Sequence, residues 1–564
     1  MILLTWLYLI SNFCYFYFNI FQLGYLGIFS LSITTFLISS YLLFWNVYTF
    51  WKYNYSTEFI LFNWVDFNNN VIILWNFKEN LINSIFSFIM LFGAYIVVQF
   101  VYLDMSNDKE GYSFIILLGY FIIFMLIVII SNNLLLFYLG WEGISLTSYF
   151  LVNFWSERVR SIKAVFKIFL ISKIGDYFLL IFICLILINF GTADFDQIHS
   201  IYILFLQKKF NFFFLKVNFI DLLAVLLVLG TAIKSAQYGF HIWLLEAMEA
   251  PLGASALMHS STLVIAGVIL LFKLSFIIEF SSYATTLMFF LGSFSAFFGS
   301  FFACFQFELK TILAYSTISN MGYIFVLFSL NLYYETILTI ILHAFIKIYA
   351  FLVIGGLIFF ANGVQDIRWM GGLLNYNPFL WASFIIGGLS LIGVPYFSGY
   401  SYKLYIINNL LHNSFFFKGS EFILLFSYFF TFFYIIRLGY IVFFSSKNGH
   451  KILYKYKNLS IFYYIHLFIL GFIITFSSNF WQNILNLNYF NLLNNYFYNN
   501  LSFYNPYIND LLFLSAYIWY IIYSFIFIFI FIFIIITLNF NWSFLKYWNL
   551  ANFFLYLIFL YLIF

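Results

Sequence analysis

Charge is what this 564-residue chain lacks most: only 8% of its residues are Asp, Glu, Lys or Arg, against roughly 25% in a soluble domain. With 65% apolar and 26% aromatic residues, a water-facing globule would have no polar cover. A soluble enzyme, a disordered chain and a secreted disulfide scaffold are thereby excluded. Cysteine is scarce too. Cys14, Cys184 and Cys304 lie far apart in apolar runs and form no CxxC pair, which argues against an iron–sulfur or zinc site in the chain. Proline occurs four times, at 251, 378, 395 and 506, so each one inside an apolar run stands out. The net charge of +4 comes with no basic cluster dense enough for nucleic acid.

What the sequence has instead is long apolar runs. Sixteen candidate spans are bounded by polar residues: 2–20, 24–48, 82–103, 113–131, 134–154, 164–189, 219–244, 251–276, 283–305, 310–331, 335–361, 379–411, 420–446, 459–479, 511–538 and 549–564. Without alternating polarity these runs fit helices and not membrane strands. The expectation is an all-α polytopic membrane protein with about 14–16 transmembrane helices. Two spans look discontinuous: Gly230 and Gly239 flank Lys234, and Gly387, Gly388, Gly393, Pro395 and Gly399 precede Lys403. Helices broken at membrane depth are tolerated where they line a cavity or an ion path.

Basic loops set the orientation. Arg158, Arg160 and Lys163 follow the fifth span, and Lys447, Lys451, Lys455 and Lys457 follow the thirteenth, on the same side of the membrane. Lys208, Lys209 and Lys216 after the sixth span disagree, through a real exception or an error of one in the count. The first 51 residues hold no charge, unlike an Arg-rich targeting presequence. The excess of Phe, Ile, Tyr, Asn and Lys matches AT-rich codons, as expected of a gene carried by an organelle.

An ionisable group in hydrocarbon costs at least ~2.5–3.5 kcal/mol, so those within spans deserve a reason. They are Glu142, Lys173, Asp176, Lys234, His241, His259, His343, Lys347, Lys403 and Arg437. Lys173 and Asp176 are spaced i, i+3, and His343 and Lys347 i, i+4, so each pair shares a helix face. Such a set suits proton relay, because burial and a neighbouring charge move a lysine in opposite directions. At ~4 Å and an effective dielectric of 20, Glu142 and Lys234 would couple by ~4 kcal/mol. That is comparable to moving one charge across a membrane potential of about 150–200 mV. Plainer roles are open as well. Lys310 and Arg437 can snorkel, and His241 and His259 can be hydrogen-bonded core residues. The histidines lack the tight spacing of a metal site.

At these residues the sequence resembles a known family. SNNLLLFYLGWEGISLTSYFLV (131–152), IKSAQYGFHIWLLEAMEAPLGASALMHSSTLVIAG (233–267), LKTILAYSTISNMGY (309–323), HAFIKIYAFLVIG (343–355), QDIRWMGGL (365–373) and GVPYFSGYSYK (393–403) occur in the order found in chain 5 of NADH:ubiquinone oxidoreductase, respiratory complex I. The GWEG form is shared with cation/proton antiporter subunits. The resemblance implies two inverted antiporter-like repeats with discontinuous helices. It divides the chain into N-terminal helices (1–103), a proton-translocating core (104–446) and C-terminal helices (447–564) in which the family's lateral helix is short or absent.

By motif position the resemblance gives Glu142, Lys234, His259, His343, Lys347 and Lys403 as the proton relay, with Lys173, Asp176 and His241 in support. It implies no cofactor in this chain. NADH, FMN, iron–sulfur clusters and ubiquinone are expected in partner subunits, and the setting is the mitochondrial inner membrane. The partners it implies are the neighbouring antiporter-like chain 4, accessory subunits and lipids such as cardiolipin. Three departures bear on function. The helix-eight opening reads Ala250-Pro251-Leu252-Gly253, Leu404 stands where an acid commonly follows the second broken-helix lysine, and Lys173 replaces a common Arg. The alternatives are a subunit of a multi-subunit sodium/proton antiporter and a membrane anchor that no longer pumps. Retention of the costly buried charges argues against the second.

Overall fold

The computed structural model describes residues 20–446, apart from 54, 68–70, 106–107, 109, 213–214, 396 and 413–417, together with 463–475, 477 and 481. The expected spans 2–20, 511–538 and 549–564, the basic run 447–457 and the shortened lateral helix lie outside these residues.

Ten helices among the described residues are long and apolar enough to cross a membrane. The chain opens with α1 (Ile20–Tyr53), the antiparallel hairpin β1 (Thr57–Phe67) and β2 (Val71–Glu79), α2 (Leu81–Asp104), α3 (Gly111–Ile130), α4 (Leu134–Val152) and α5 (Val159–Phe190). A short α6 (Phe195–Ile201) and the hairpin β3 (Lys209–Phe212) and β4 (Leu215–Asn218) follow. Next come α7 (Phe219–Lys234), α8 (Ile242–Glu246), α9 (Leu252–Ser260), α10 (Leu263–Lys273), α11 (Ser275–Glu279), α12 (Ser282–Ala303), α13 (Leu309–Ser329) and α14 (Tyr333–Phe360). The last elements are α15 (Pro378–Ile392), α16 (Gly399–His412), α17 (Lys418–Gly439), ending in a π-helical turn (Tyr440–Phe444), and an apolar helix Tyr463–Thr475.

The two hairpins are the departure from an all-helical chain. Both occupy expected connections, 52–81 and 190–218, where a backbone facing water can use ladder bonds. Following the chain from α2 puts both on one side of the membrane, together with the starts of α2 and α4. Lys78 joins the first hairpin to α6 through Asp196 at 2.7 Å, and Asn133 bridges to Asp194. Since α5 runs unbroken for 32 residues, Lys208, Lys209 and Lys216 do lie opposite Arg158, Arg160 and Lys163. The exception to the charge rule is real.

The interior is formed by α9–α10 and α14, buried along their whole apolar windows. The α12–α13 pair packs closest. A Cβ on Gly322 would come within 2.5 Å of Ala296 N and Gly292 O, so the backbones touch where only glycine fits, as lipid-embedded helices do in the absence of a hydrophobic drive.

Both expected breaks occur. After Lys234 the chain takes a left-handed turn at Ala236 (φ 54°) and Gly239 (φ 95°) before α8 resumes. The carbonyl of Ile233, which accepts the Ala236 N–H within the turn, also accepts the Trp243 indole N–H at 2.8 Å, which meets the rule that backbone groups in lipid be satisfied internally. The second break separates α15 from α16. Gly393 has φ 84°, and a Cβ on Gly399 would meet Ser390 O at 1.8 Å. A third break lies inside the span 251–276, at Ser261–Thr262 between α9 and α10. No glycine or proline marks it. The Thr262 hydroxyl instead bonds Leu257 O at 2.9 Å, a side-chain alternative to the helical ladder.

Candidate proton-relay site

The relay residues fall into three groups along the molecule. In the first, α4 and α5 lie side by side. Lys173 Nζ is 2.6 Å from Glu142 Oε2 and 3.4 Å from Asp176 Oδ2. The Tyr138 hydroxyl donates to the other Glu142 oxygen at 2.6 Å, and the Trp141 indole donates to Asp176 at 2.8 Å. Lys234, at the end of α7, makes no ion pair within 4 Å among the described residues. Its ammonium donates to Ser145 Oγ at 2.5 Å and Trp141 O at 3.4 Å, and lies 4.7 Å from the Trp141 ring centre. The close Glu142–Lys234 pair considered from sequence therefore does not form. Lys173 holds Glu142, and Trp141 stands between Asp176 and Lys234, touching both.

The second group lies at the centre. Lys347 on α14 is fully buried and donates to Ser316 Oγ at 2.6 Å, with Leu313 O at 3.5 Å. His343, one turn earlier, faces Asn320 at 3.4 Å. His259 sits two residues before the break in α9 and stacks near Phe351 at 5.7 Å. Both its ring nitrogens lack a protein partner, as does His343 Nε2. His241 sits apart, stacked on Tyr238 at 5.4 Å where α8 begins.

The third group is Lys403 on α16. It reaches back across the break to Leu391 O at 2.7 Å and Ile392 O at 3.0 Å, and to Thr431 Oγ1 at 3.1 Å. The C-terminal carbonyls of α15 thus do the work of the missing acid at Leu404, since a helix C-terminus attracts a cation. Lys310 is buried and donates to Ala250 O at 3.0 Å, so it ties the α8–α9 link to α13 and does not snorkel. Arg437 donates to Gln306 O at 2.8 Å.

One pattern joins three of the lysines in membrane-spanning helices, among the described residues. Lys234, Lys347 and Lys403 each meet one hydroxyl and one or two backbone carbonyls, with no carboxylate. An ammonium has three donors, and neutral oxygens serve them without fixing the charge as a carboxylate would. A hydroxyl can also turn to donate to a neutral amine. Ser145, Ser316, Thr431, Tyr138 and Trp141 carry no charge, so nothing in the sequence pattern marks them. Lys273 was missed because it stands at a span end. It donates to the Ser131 carbonyl and lies near the Phe137 and Phe195 rings.

With this geometry in view the relatives are informative. The family described as "NADH:quinone oxidoreductase/Mrp antiporter, TM" matches residues 131–433, which hold every relay residue. Curated proteins named NADH-ubiquinone oxidoreductase chain 5 match over most of the chain. That of Acanthamoeba castellanii is 31% identical over 80% of this chain and 70% of its own length. That of Paramecium tetraurelia is 34% identical over 73% of each. The chain belongs to the NADH-ubiquinone oxidoreductase chain 5 family. For the chain 5 protein of Trichophyton rubrum, 33% identical, the match covers 73% of this chain and 62% of the relative. Among solved structures, a chain of the membrane-bound sulfane sulfur reductase, an archaeal respiratory membrane complex, superposes with a TM-score of 0.75 at 18% identity. That match covers 87% of this chain and 97% of the other. It establishes that the fold is shared. The chain is an antiporter-like, multi-pass membrane protein.

Proposed function

We propose that this chain is a proton-translocating membrane-arm subunit of NADH:ubiquinone oxidoreductase in the mitochondrial inner membrane. The observation that carries this reading is the set of three buried lysines, each served by neutral oxygens, with His343 one helical turn from the central one. A lysine in such a cradle can hold or release a proton without breaking an ion pair, which a structural lysine has no need to do.

In this reading the core is residues 104–446. Glu142, Lys173 and Asp176 form the charged end of the row, and Lys173 moves between two carboxylates 2.6 and 3.4 Å away. A shift of Lys173 toward Asp176 leaves Glu142 under-compensated, and that bias reaches Lys234 through Trp141. Lys234 then loads a proton, the central pair of His343 and Lys347 passes it on, and Lys403 holds it at the second break. Redox chemistry takes place in partner subunits that carry FMN, iron–sulfur clusters and ubiquinone; this chain supplies no redox site. Chain 4 abuts it, with accessory subunits and lipids such as cardiolipin at the margins.

The test is gentle extraction, native gel separation and an in-gel NADH dehydrogenase stain, with peptide identification. The chain is expected in a megadalton NADH-active band. Recovery only in a smaller, NADH-inactive assembly would overturn this reading in favour of an antiporter, and cation-dependent proton flux would then decide.

A further inference from the structure

Trp141 is fully buried on α4, one turn after Phe137, whose ring centre lies 5.8 Å from its own. It touches ionisable groups from two other helices. On α5, Asp176 accepts its indole N–H at Oδ1, 2.8 Å away. On α7, the Lys234 ammonium lies 4.7 Å from its ring centre. A tryptophan buried for packing needs one acceptor for its N–H, and any carbonyl would serve. Here the acceptor is a buried carboxylate, and the ring face that remains meets a buried cation. Lys403 stands in a similar place, 5.2 Å from the Tyr428 ring centre.

We propose that Trp141 is a positioning residue with two separable actions: its N–H holds the Asp176 carboxylate toward Lys173, and its ring face favours the ammonium form of Lys234. This rests on the proton-relay reading above and assigns to one neutral side chain the coupling between the charged cluster and the first lysine. With Oδ1 tied to Trp141, the oxygen left to Lys173 is Oδ2, at 3.4 Å. Asp176 is thereby kept as the second place to which Lys173 can move. An indole N–H bound to a carboxylate is charge-assisted and stronger than a bond between neutral groups. The ring acts through its quadrupole, whose negative face attracts an ammonium far more than a neutral amine. It therefore favours loading of Lys234, and no ion pair has to open before the proton leaves.

The two actions have separate signatures. The charges that act on Lys234 are those of Asp176, Glu142 and Lys173. Of the other helices packed on α7, α12 carries no Asp, Glu, Lys, Arg or His. Lys273 of α10 and Glu279 of α11 stand at the side of the membrane where the hairpins lie. Losing the ring leaves all these charges in place and removes only the neutral face that favours the cation. Losing the N–H alone keeps a ring against Lys234 and frees Asp176 to turn.

The experiment uses the assembled complex in sealed native membrane vesicles. It measures NADH-driven proton pumping from neutral to alkaline pH, per complex assembled on native gels. W141F keeps a ring and loses the N–H; W141M and W141L lose both. D176L, W141F with D176L, and K234A complete the set. The expected result is that W141F slows pumping by about three- to tenfold, the size of one hydrogen bond, with its alkaline limb in place. W141M and W141L should also move that limb about half to one pH unit lower, as loss of a cation–π contact requires. In D176L, W141F should cost nothing more, because the N–H acts through that carboxylate. Equal alkaline limbs in W141F and the ring-free variants would overturn the ring's action. A W141F loss undiminished in D176L would overturn the action of the N–H. Wild-type pumping in every Trp141 variant alongside a failing K234A would overturn the proposal and leave the relay reading standing. Normal pumping by K234A would overturn both.

Discussion

At the scale of single residues, the lysines and their cradles decide what a substitution does. Glu142→Gln removes the charge that holds Lys173 at 2.6 Å and leaves Asp176 as its only carboxylate. Lys234→Ala removes the group that the first cluster acts on. Either change should lower proton pumping and coupled NADH oxidation at least about tenfold, which takes only ~1.4 kcal/mol on one proton step, with the complex still assembled on native gels. Normal pumping in both variants would sink the relay assignment. Lys403→Met tests the second break. It leaves the carbonyls of Leu391 and Ile392 without the donor that now bonds them, so pumping and the thermal stability of the complex should fall together. A pumping loss without any stability loss would show that the α15 carbonyls find other donors.

At the scale of elements, close helix approach and the hairpin on the membrane surface give two further expectations. Gly322→Ala places a methyl group within 2.5 Å of backbone atoms of α12. Neither helix can yield without separating along its length, so a cost of about 1–3 kcal/mol is expected. A lower melting temperature of the assembled complex would register it, and an unchanged one would show that α12 and α13 slide freely. The hairpin holds Glu79, whose burial pushes its carboxyl up to about 8. The folded hairpin keeps a proton that the opened one releases. Its stability from this group is therefore full below about pH 4.5 and is lost as pH rises through about 8, at no more than about 1.4 kcal/mol per unit. Hydrogen exchange of residues 57–79, corrected for intrinsic rates, should show opening grow over that window. Glu79→Gln should flatten the response, and an equal pH response in the variant would place the titration elsewhere.

At the scale of the whole molecule, the relay depends on continuity across two broken helices and the third break beside His259. In the proposed reading Lys347 links the halves, because Lys234 and Lys403 each lie at a break of their own. Lys347→Ala should reduce the protons moved per NADH, measured in sealed vesicles, more than it reduces uncoupled NADH oxidation. Equal reduction of both would mean that Lys347 acts on turnover and not on transfer between halves. The third break lies two residues after His259, which is fully buried and stacked near Phe351.

Sequence by itself determined the class of molecule, the places of most helices and the breaks after Lys234 and before Lys403. Each follows from a local property: apolar length, glycine or proline at membrane depth, a charge where charge is expensive. It also placed Lys173 with Asp176 and His343 with Lys347, since helix periodicity fixes which neighbours share a face. Tertiary structure decided what each buried lysine touches. Whether Lys234 meets Glu142 or Ser145 depends on how α4, α5 and α7 pack, and that packing pairs Glu142 with Lys173 and sets Lys234 against Ser145 and the Trp141 ring. It decided the break at Ser261–Thr262 as well, because a hydroxyl that bonds its own backbone leaves no mark in composition. The hydroxyls that serve the lysines were legible only after folding, for a neutral side chain signals nothing until a charge is brought against it.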